Sequence, residues 1–469
     1  LAASGSLLTA PLVVGCDPTP TGISRARLVG RIAGDSMAPH YLSDSILAHC
    51  PHCGNDEPLT TLHGLSLDWC CPRCGRYSEP DAARLLPAEQ PAILSFAPNA
   101  APQRWQEVAI RFDDQRRRSA EPGLGEGPSL TFKRLWGLPG ERVAIVGGTW
   151  LVDGNVVPRD WATQCAMRVL VHADGRARSA VPRRPGHAAV RPSAEIPARV
   201  ESDTAPGWRV ASPGWSPTPN GWRLTDAEPP GETPTDSGPL PASPPTLEYA
   251  HYRCVISGLG HQPPIPAPIE DFLAYDPFRP RRLFPVFGLM LEGRVEWRGA
   301  ARLSLSLHDG IAEVRWTIER HANDSATLTL FDGEAPLGSW PIDRLGQRSL
   351  IGLSTFDRCA TLAIDGVEVQ RSELPGRESR SPQDAVTRPA RITAERMSSE
   401  SQLSLQELTV WRDLLPLAPN GTSLDWELGR ALEKDEYFAM GDHFAASLDN
   451  RLSGRGTRRH EIIGTVDAR

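Results

Sequence analysis

Residues 301–318 read ARLSLSLHDGIAEVRWTI. In Ala301–Leu307 every second position is apolar, with Arg302, Ser304 and Ser306 between. Period two sends successive side chains to opposite faces of a strand, so this stretch has one apolar face and one polar face. Asp309-Gly310 then supplies a tight turn, and Ile311–Ile318 returns as the second strand of an antiparallel hairpin. The pattern spreads outward to Arg294–Trp297, Ser325–Phe331, Ser349–Ser354, Thr361–Ile364 and Leu403–Trp411, with turn signals at Asp332-Gly333 and Asp365-Gly366. About eight such strands between Tyr249 and Trp411 predict a sandwich of antiparallel sheets.

Alternating runs such as Arg142–Val146 and Trp150–Val152, before the turn Asp153-Gly154, extend the β reading to most of the chain. Helical periodicity is confined to short stretches near Pro80–Leu86 and Asp425–Glu433. Val181–Pro245 holds 15 prolines in 65 residues, which predicts an irregular or extended segment, part of it laid on something by Trp208, Trp215 and Trp222. Ser379–Arg391, rich in Arg, Ser and Pro, reads as a surface loop. His172-Ala173-Asp174 reads as a turn rather than a metal site. A length of 469 residues suits two or three domains. No run of about 18 apolar residues occurs, so the chain as given holds no transmembrane helix. The opening LAASGSLLTAPLVVG is too short and uncharged for a complete signal peptide or anchor, and further sequence is expected upstream of Leu1. The net charge of -7 opposes a nucleic-acid partner. Of 50 basic residues only Lys133 and Lys434 are lysine, the one basic side chain that can lose its proton when buried.

Three clusters carry chemistry. In Gly34-Asp35-Ser36-Met37-Ala38-Pro39 the serine fits either a nucleophile or a turn-forming hydroxyl. In Thr131–Glu141, reading TFKRLWGLPGE, Lys133 falls in an apolar strand before a Gly-Leu-Pro-Gly turn and taken alone fits a solvated strand edge. The third, Tyr437–Arg451, reads YFAMGDHFAASLDNR and taken alone is a polar loop after a strand. Together and in this order they closely resemble the motifs of bacterial type I signal peptidases, membrane-bound serine proteases that remove signal peptides from exported proteins. The Ser-Met-x-Pro and Lys-Arg-x-x-Gly-Leu-Pro-Gly boxes are intact, with Glu141 where the family has Asp. In the third box His443 replaces an Asn, Phe444-Ala445-Ala446 replace polar residues and Asn450 replaces a Ser, while Ser447, Asp449 and Arg451 remain. A weaker match to a further box, Arg104–Phe112, lies between the first two.

The resemblance implies that Ser36 attacks the scissile carbonyl and that Lys133 takes and returns its proton, a Ser-Lys version of triad chemistry. It implies that Ser447 hydrogen-bonds the amine and that Asp449 and Arg451 pair to shape the loop. The Ser36 backbone N–H would serve the oxyanion, since Gly34 stands where some members carry a hydroxyl. Met37 and Pro39 would set the turn and line a pocket for small residues at the cleavage site. His443 invites a Ser-His reading, but the lysine box is intact and no acid is evidently placed to orient the imidazole. The implied partners are signal peptides of secreted preproteins and a membrane, reached through an anchor not present in this chain. The implied location is the cytoplasmic membrane with the catalytic domain on its extracytoplasmic side.

Two insertions interrupt this frame. Cys50-Pro-His-Cys53-Gly and Cys71-Pro-Arg-Cys74-Gly match the knuckles of structural zinc ribbons, in which four thiolates close a tetrahedral site; two disulfides are the alternative. A closed four-thiolate site has no open position, so the zinc is expected to be structural, and catalysis needs no cofactor. Ser354–Arg358 and Thr361–Gly366 read like paired strands of laminin-G or concanavalin-like sandwiches. Such insertions look most like those of planctomycete-type signal peptidases. The expected order is therefore core residues 20–49, ribbon 50–78, core 85–160, a Pro-rich irregular or β insertion 161–248, sandwich 249–415 and core 423–469. The fold class is mainly β, a signal-peptidase-type antiparallel core interrupted by the ribbon and the sandwich. The competing readings are an inactive protease frame that binds a partner through the insertions, and a self-cleaving regulator, which the Gly-Leu-Pro-Gly box opposes.

Overall fold

The computed structural model describes residues 15–17, 25–32, 34–61, 69–74, 76–78, 84–97, 100–112, 129–174, 206–225, 243–253, 256–257, 260–261, 264–276, 281–321, 325–343, 345–377, 386–398 and 401–467. The architecture is mainly β, in several antiparallel sheets. The expected hairpin forms between Ala301–His308 and Glu313–Arg320, with Leu303 opposite Ile318, Leu305 opposite Trp316 and Leu307 opposite Val314. All six side chains are buried, as an apolar face of period two requires.

This hairpin is the centre of a sheet ordered Gly207–Ser212, Thr246–Ala250, Ala390–Arg396, Ala301–His308, Glu313–Arg320, Ala326–Asp332 and Ala335–Ile342. A second sheet is ordered Trp215–Thr218, Gly221–Leu224, Gln402–Arg412, Leu289–Arg298, Arg348–Ser354, Cys359–Ile364 and Val367–Glu373, with Val169–Ala173 also paired to Gln402–Arg412. Apolar residues of both sheets, among them Trp208, Trp297, Trp316, Leu291, Ile392 and Leu405, share one core.

Strands from 169–173 and 207–224 thus belong to these sheets. Trp208, Trp215 and Trp222 are the anchors, each buried in the shared core. The proline density does not forbid this, because Pro217 lies in the edge strand Trp215–Thr218, where a missing N–H breaks no ladder. The remaining parts of the Pro-rich segment, 175–205 and 226–242, lie outside the described residues. His172 sits in the strand Val169–Ala173 rather than a turn, its ring 5.3 Å from that of Tyr249.

Three other expectations are corrected. Asp425–Glu433 is not helical: Trp426–Ala431 is a strand paired with Arg142–Val146, and Gly429, at φ 75, adopts a conformation that a helix excludes. Leu85–Leu86 is a short strand beside Ser45–His49, and residues 80–83 lie outside the described set. The end of the expected loop Ser379–Arg391 begins an interior strand, since Ala390, Ile392 and Ala394 alternate inward between two neighbours; residues 378–385 lie outside the described set. The α-helix Trp161–Met167 was not foreseen, although Asp160 is its cap and accepts from the Thr163 N–H at 2.8 Å.

The remaining large sheet draws on both ends of the chain: Gly15–Asp17, Arg25–Val29, Ala92–Ser95, Ile462–Asp467, Glu107–Phe112, Ser129–Gly137, Glu436–Met440 and Thr457–Arg458, in that spatial order. Ser129–Gly137 pairs with Glu436–Met440, Arg134 opposite Met440, so the second and third sequence clusters are neighbours despite the long stretch of chain between them. Arg159 joins this core to the sandwich, donating to Asp357 at 2.6 Å and to Asp413 at 2.8 Å.

Burial, with Arg253 and Arg412 nearby, pushes the His251 imidazole from its ordinary 6.5 down to about 4. Between these values the unfolded chain binds a proton that the native state refuses, so stability must fall as pH drops from about 6.5 toward 4, by up to about 1.4 kcal/mol per pH unit. Urea midpoints at pH 7 and pH 5 should show this loss in the wild type and a smaller one in His251→Gln.

Candidate functional site

The serine lies on a single 3-10 turn, Asp35–Met37, entered through extended Gly34 and closed by the Ala38 N–H on the Asp35 carbonyl at 3.0 Å. The Ala38–Pro39 peptide is cis. Ser36 is half-buried. Met37 is 1% exposed and packs with Ile32, Tyr41, Ile93 and Phe132. It therefore anchors the turn in the core, and Pro39 stays half-buried beside it. Asp35, unassigned from sequence, fixes the turn from the other side. Its Oδ1 accepts from Ser43 Oγ at 2.7 Å and from the Tyr275 hydroxyl at 2.8 Å, and its Oδ2 accepts from Thr60 Oγ1 at 2.6 Å.

Lys133 occupies the middle of Ser129–Gly137, between that strand's two neighbours, and is 2% exposed. Its Nζ donates to Ser447 Oγ at 2.9 Å. The Asp35–Met37 turn packs against the same strand. Gly441 shows how closely the clusters meet: a Cβ there would come within 2.1 Å of the Ser36 carbonyl oxygen and 2.4 Å of Ser447 Oγ. Only glycine fits between them. The His443 N–H donates to that Ser36 carbonyl at 3.0 Å.

Asp449 and Arg451 form the expected pair, with Nε to Oδ1 at 2.8 Å and a second guanidinium nitrogen to Oδ2 at 2.7 Å. Arg451 also donates to the carbonyls of Leu417 and Phe444. Burial works against the Asp449 carboxylate, but Arg451, Lys133 and Ser447 together hold its pKa below the usual carboxylate value. The structure thus brings Lys133, Ser447, Asp449 and Arg451 into one hydrogen-bonded set, with the Ser36 turn against it.

A second buried network escaped the sequence reading. Arg134 donates to both oxygens of Asp442 at 2.9 and 2.7 Å, to Glu107 at 2.7 Å and to the Trp105 carbonyl at 2.9 Å. Glu107 accepts from the Tyr41 hydroxyl at 2.6 Å. His40 Nδ1 lies 2.6 Å from Asp442 and its Nε2 lies 3.2 Å from the Arg168 carbonyl. Arg134 and Asp442, the residues directly beside Lys133 and His443, are thereby tied together by charge. His443 itself faces an acid after all: its Nε2 is 3.7 Å from Asp276 Oδ2. That acid lies far from His443 along the chain, where no local pattern could reveal it. Lys434 is exposed.

The ribbon cysteines Cys50, Cys53, Cys71 and Cys74 are buried, with their sulfurs all within 4.8 Å of one another. The Cys50–Cys74 and Cys53–Cys71 sulfur separations are both 3.6 Å. A disulfide needs about 2.05 Å, whereas a tetrahedral metal with bonds of about 2.3 Å needs sulfurs roughly 3.8 Å apart. The four thiols are free and suit a metal ion, while Cys70, one residue out of register, is disulfide-bonded. The ribbon strand Asp56–Thr60 ends against the serine turn through Thr60. Among the described residues no helix is long and apolar enough to cross a membrane.

No protein-family model and no curated protein matches the chain. Solved structures similar to parts of it include the Caenorhabditis elegans galectin LEC-6, at 8% identity and a TM-score of 0.20, covering 26% of this chain and 81% of that one. The carbohydrate binding module CBM66 from Bacillus subtilis is similar at 9% identity and a TM-score of 0.24, covering 44% and 94%. A Bacillus licheniformis β-glucanase is similar at 8% identity and a TM-score of 0.25, covering 44% and 92%.

Proposed function

We propose that the chain is a serine endopeptidase of the type I signal peptidase kind, which removes signal peptides from exported preproteins at the membrane surface, on the extracytoplasmic side. The observation that carries this reading is the buried Lys133 amine, hydrogen-bonded to Ser447 at 2.9 Å on a strand that packs against the Ser36 turn. A serine hydroxyl needs a base, and a lysine taken out of water is the kind of lysine that can be one. Ser36 Oγ attacks the scissile carbonyl as its proton passes to Lys133 Nζ. The resulting ammonium protonates the leaving peptide nitrogen; water then attacks the acyl-enzyme as its proton passes to the same Nζ, which returns it to Ser36 Oγ as the acyl–oxygen bond breaks and the acid product leaves. Ser447 holds the amine in line, while Asp449 and Arg451 hold Ser447's loop.

In the ribbon the ion is zinc, held by Cys50, Cys53, Cys71 and Cys74 with no position left for substrate, so its work is structural. Metal analysis of the purified chain should give one zinc per molecule, and Cys71→Ser should lose it. Because the Thr60 hydroxyl on this ribbon supports Asp35, zinc removal should also reduce turnover.

Cleavage of a preprotein by the wild type, Ser36→Ala and Lys133→Arg tests the catalytic reading. Ser36→Ala that still cleaves at the wild-type rate would remove Ser36 as the nucleophile.

A further inference from the structure

Two consecutive residues of the inserted region reach the candidate catalytic centre, and they grip different halves of it. The Tyr275 hydroxyl donates to Asp35, the residue directly before Ser36, at 2.8 Å and lies 3.1 Å from Ser43 Oγ. The Tyr275 ring packs on Ala38 and Leu42, and its carbonyl accepts from the Thr60 N–H at 2.8 Å. One tyrosine thus joins the serine turn, the ribbon and the insertion.

Asp276 turns the other way. Its side chain is fully buried and faces the His443 imidazole, with Nε2 3.7 Å from Oδ2. His443 is the link between the two catalytic clusters: its N–H donates to the Ser36 carbonyl at 3.0 Å, and its carbonyl accepts from the N–H groups of Ala446 at 3.0 Å and Ser447 at 2.9 Å. Any displacement of His443 therefore moves Ser36 and Ser447 together, and Ser447 carries the contact to Lys133. With Gly441 wedged between Ser36 and Ser447, the contact has no slack to absorb such a shift.

We infer that Tyr275 and Asp276 are positioning residues, through which the insertion sets the Ser36 turn against the Lys133–Ser447 pair. The inference rests on the Ser-Lys reading of this site. Its physical basis is the sensitivity of hydrolysis to the attack geometry, where a misplacement of about 1 Å costs roughly 100-fold. The insertion is thereby part of the active centre and not an appendage. Among the described residues, the charged groups that line the small cavity beside His443 are Asp271, Arg281, Arg412 and Asp442.

The test uses the full chain with Tyr275→Phe and Asp276→Asn, both close in shape to the wild type, and follows preprotein cleavage across pH together with thermal unfolding. Removal of the Tyr275 hydroxyl should lower kcat about tenfold, and loss of the Asp276 charge about 10–100-fold, with KM changed less than about twofold and both variants still folded. The pH profile of kcat in Asp276→Asn should move, because the substitution removes the buried carboxyl that faces the His443 ring. If both variants keep wild-type kcat and pH profile while Ser36→Ala is inactive, the positioning role is overturned and the Ser-Lys reading survives. If the wild type cleaves nothing, the Ser-Lys reading falls, and the positioning role that rests on it falls with it.

Discussion

Lys133→Arg is expected to cut preprotein cleavage by at least about 1,000-fold, to the level of Ser36→Ala. The substitution keeps the positive charge and much of the length of the side chain, so binding and folding are disturbed far less than the chemistry. What it removes is the ability to exist as a neutral base, because a guanidinium does not give up its proton in a protein. The position matters as much as the residue. Lys133 is 2% exposed, lies inside a strand with a neighbour on each side, and donates to the Ser447 hydroxyl at 2.9 Å. Lys133→Met, which removes the amine but keeps an unbranched chain, should be equally inactive. Near-wild-type turnover in Lys133→Arg would exclude the lysine as the base.

The largest effect on stability is expected from Asp442→Ala. Asp442 accepts two hydrogen bonds from Arg134 and one contact from His40, and its side chain is fully buried. Burial alone would raise its pKa, but Arg134 and His40 outweigh burial and hold it well below the usual 3.8. Truncation leaves the Arg134 guanidinium, 2% exposed, with Glu107 as its remaining carboxylate. Removing one partner of a buried ion pair typically costs about 3–5 kcal/mol, which should appear as a lower urea midpoint with an unchanged slope. The same carboxylate sets an acid limit. Its folded pKa lies below its unfolded value, so its contribution is present above about pH 3.8 and disappears as pH falls through the folded value. A midpoint unaltered in Asp442→Ala would mean that Glu107 alone satisfies Arg134.

Much of this arrangement was legible because the informative features are local. Period-two alternation in Ala301–Leu307 and the Asp-Gly turns identify strands and hairpins without knowledge of their partners. At Asp153-Gly154 and Asp365-Gly366 both residues adopt positive φ, the conformation that a two-residue hairpin turn demands. The cysteine spacing likewise anticipates four sulfurs converging from two knuckles. The misreadings have equally local causes. Trp426–Ala431 carries a mixed pattern that its pairing with Arg142–Val146 resolves, and Ala390–Arg396 follows an Arg-, Ser- and Pro-rich run that hides its alternation.

The sequence by itself determined the chemical inventory: a serine before a proline turn, one lysine in an apolar strand, a Ser-x-Asp-x-Arg loop and four paired cysteines. Only the tertiary structure decided that Lys133 meets Ser447 across neighbouring strands, that Arg134 is balanced by Asp442 and Glu107, and that Tyr275 and Asp276 from the insertion hold Asp35 and His443. The physical reason is range. Strand periodicity and turn conformation depend on residues a few positions apart, whereas hydrogen bonds and ion pairs form between whatever side chains the sheets bring within about 3 Å, here across intervals of up to 402 residues.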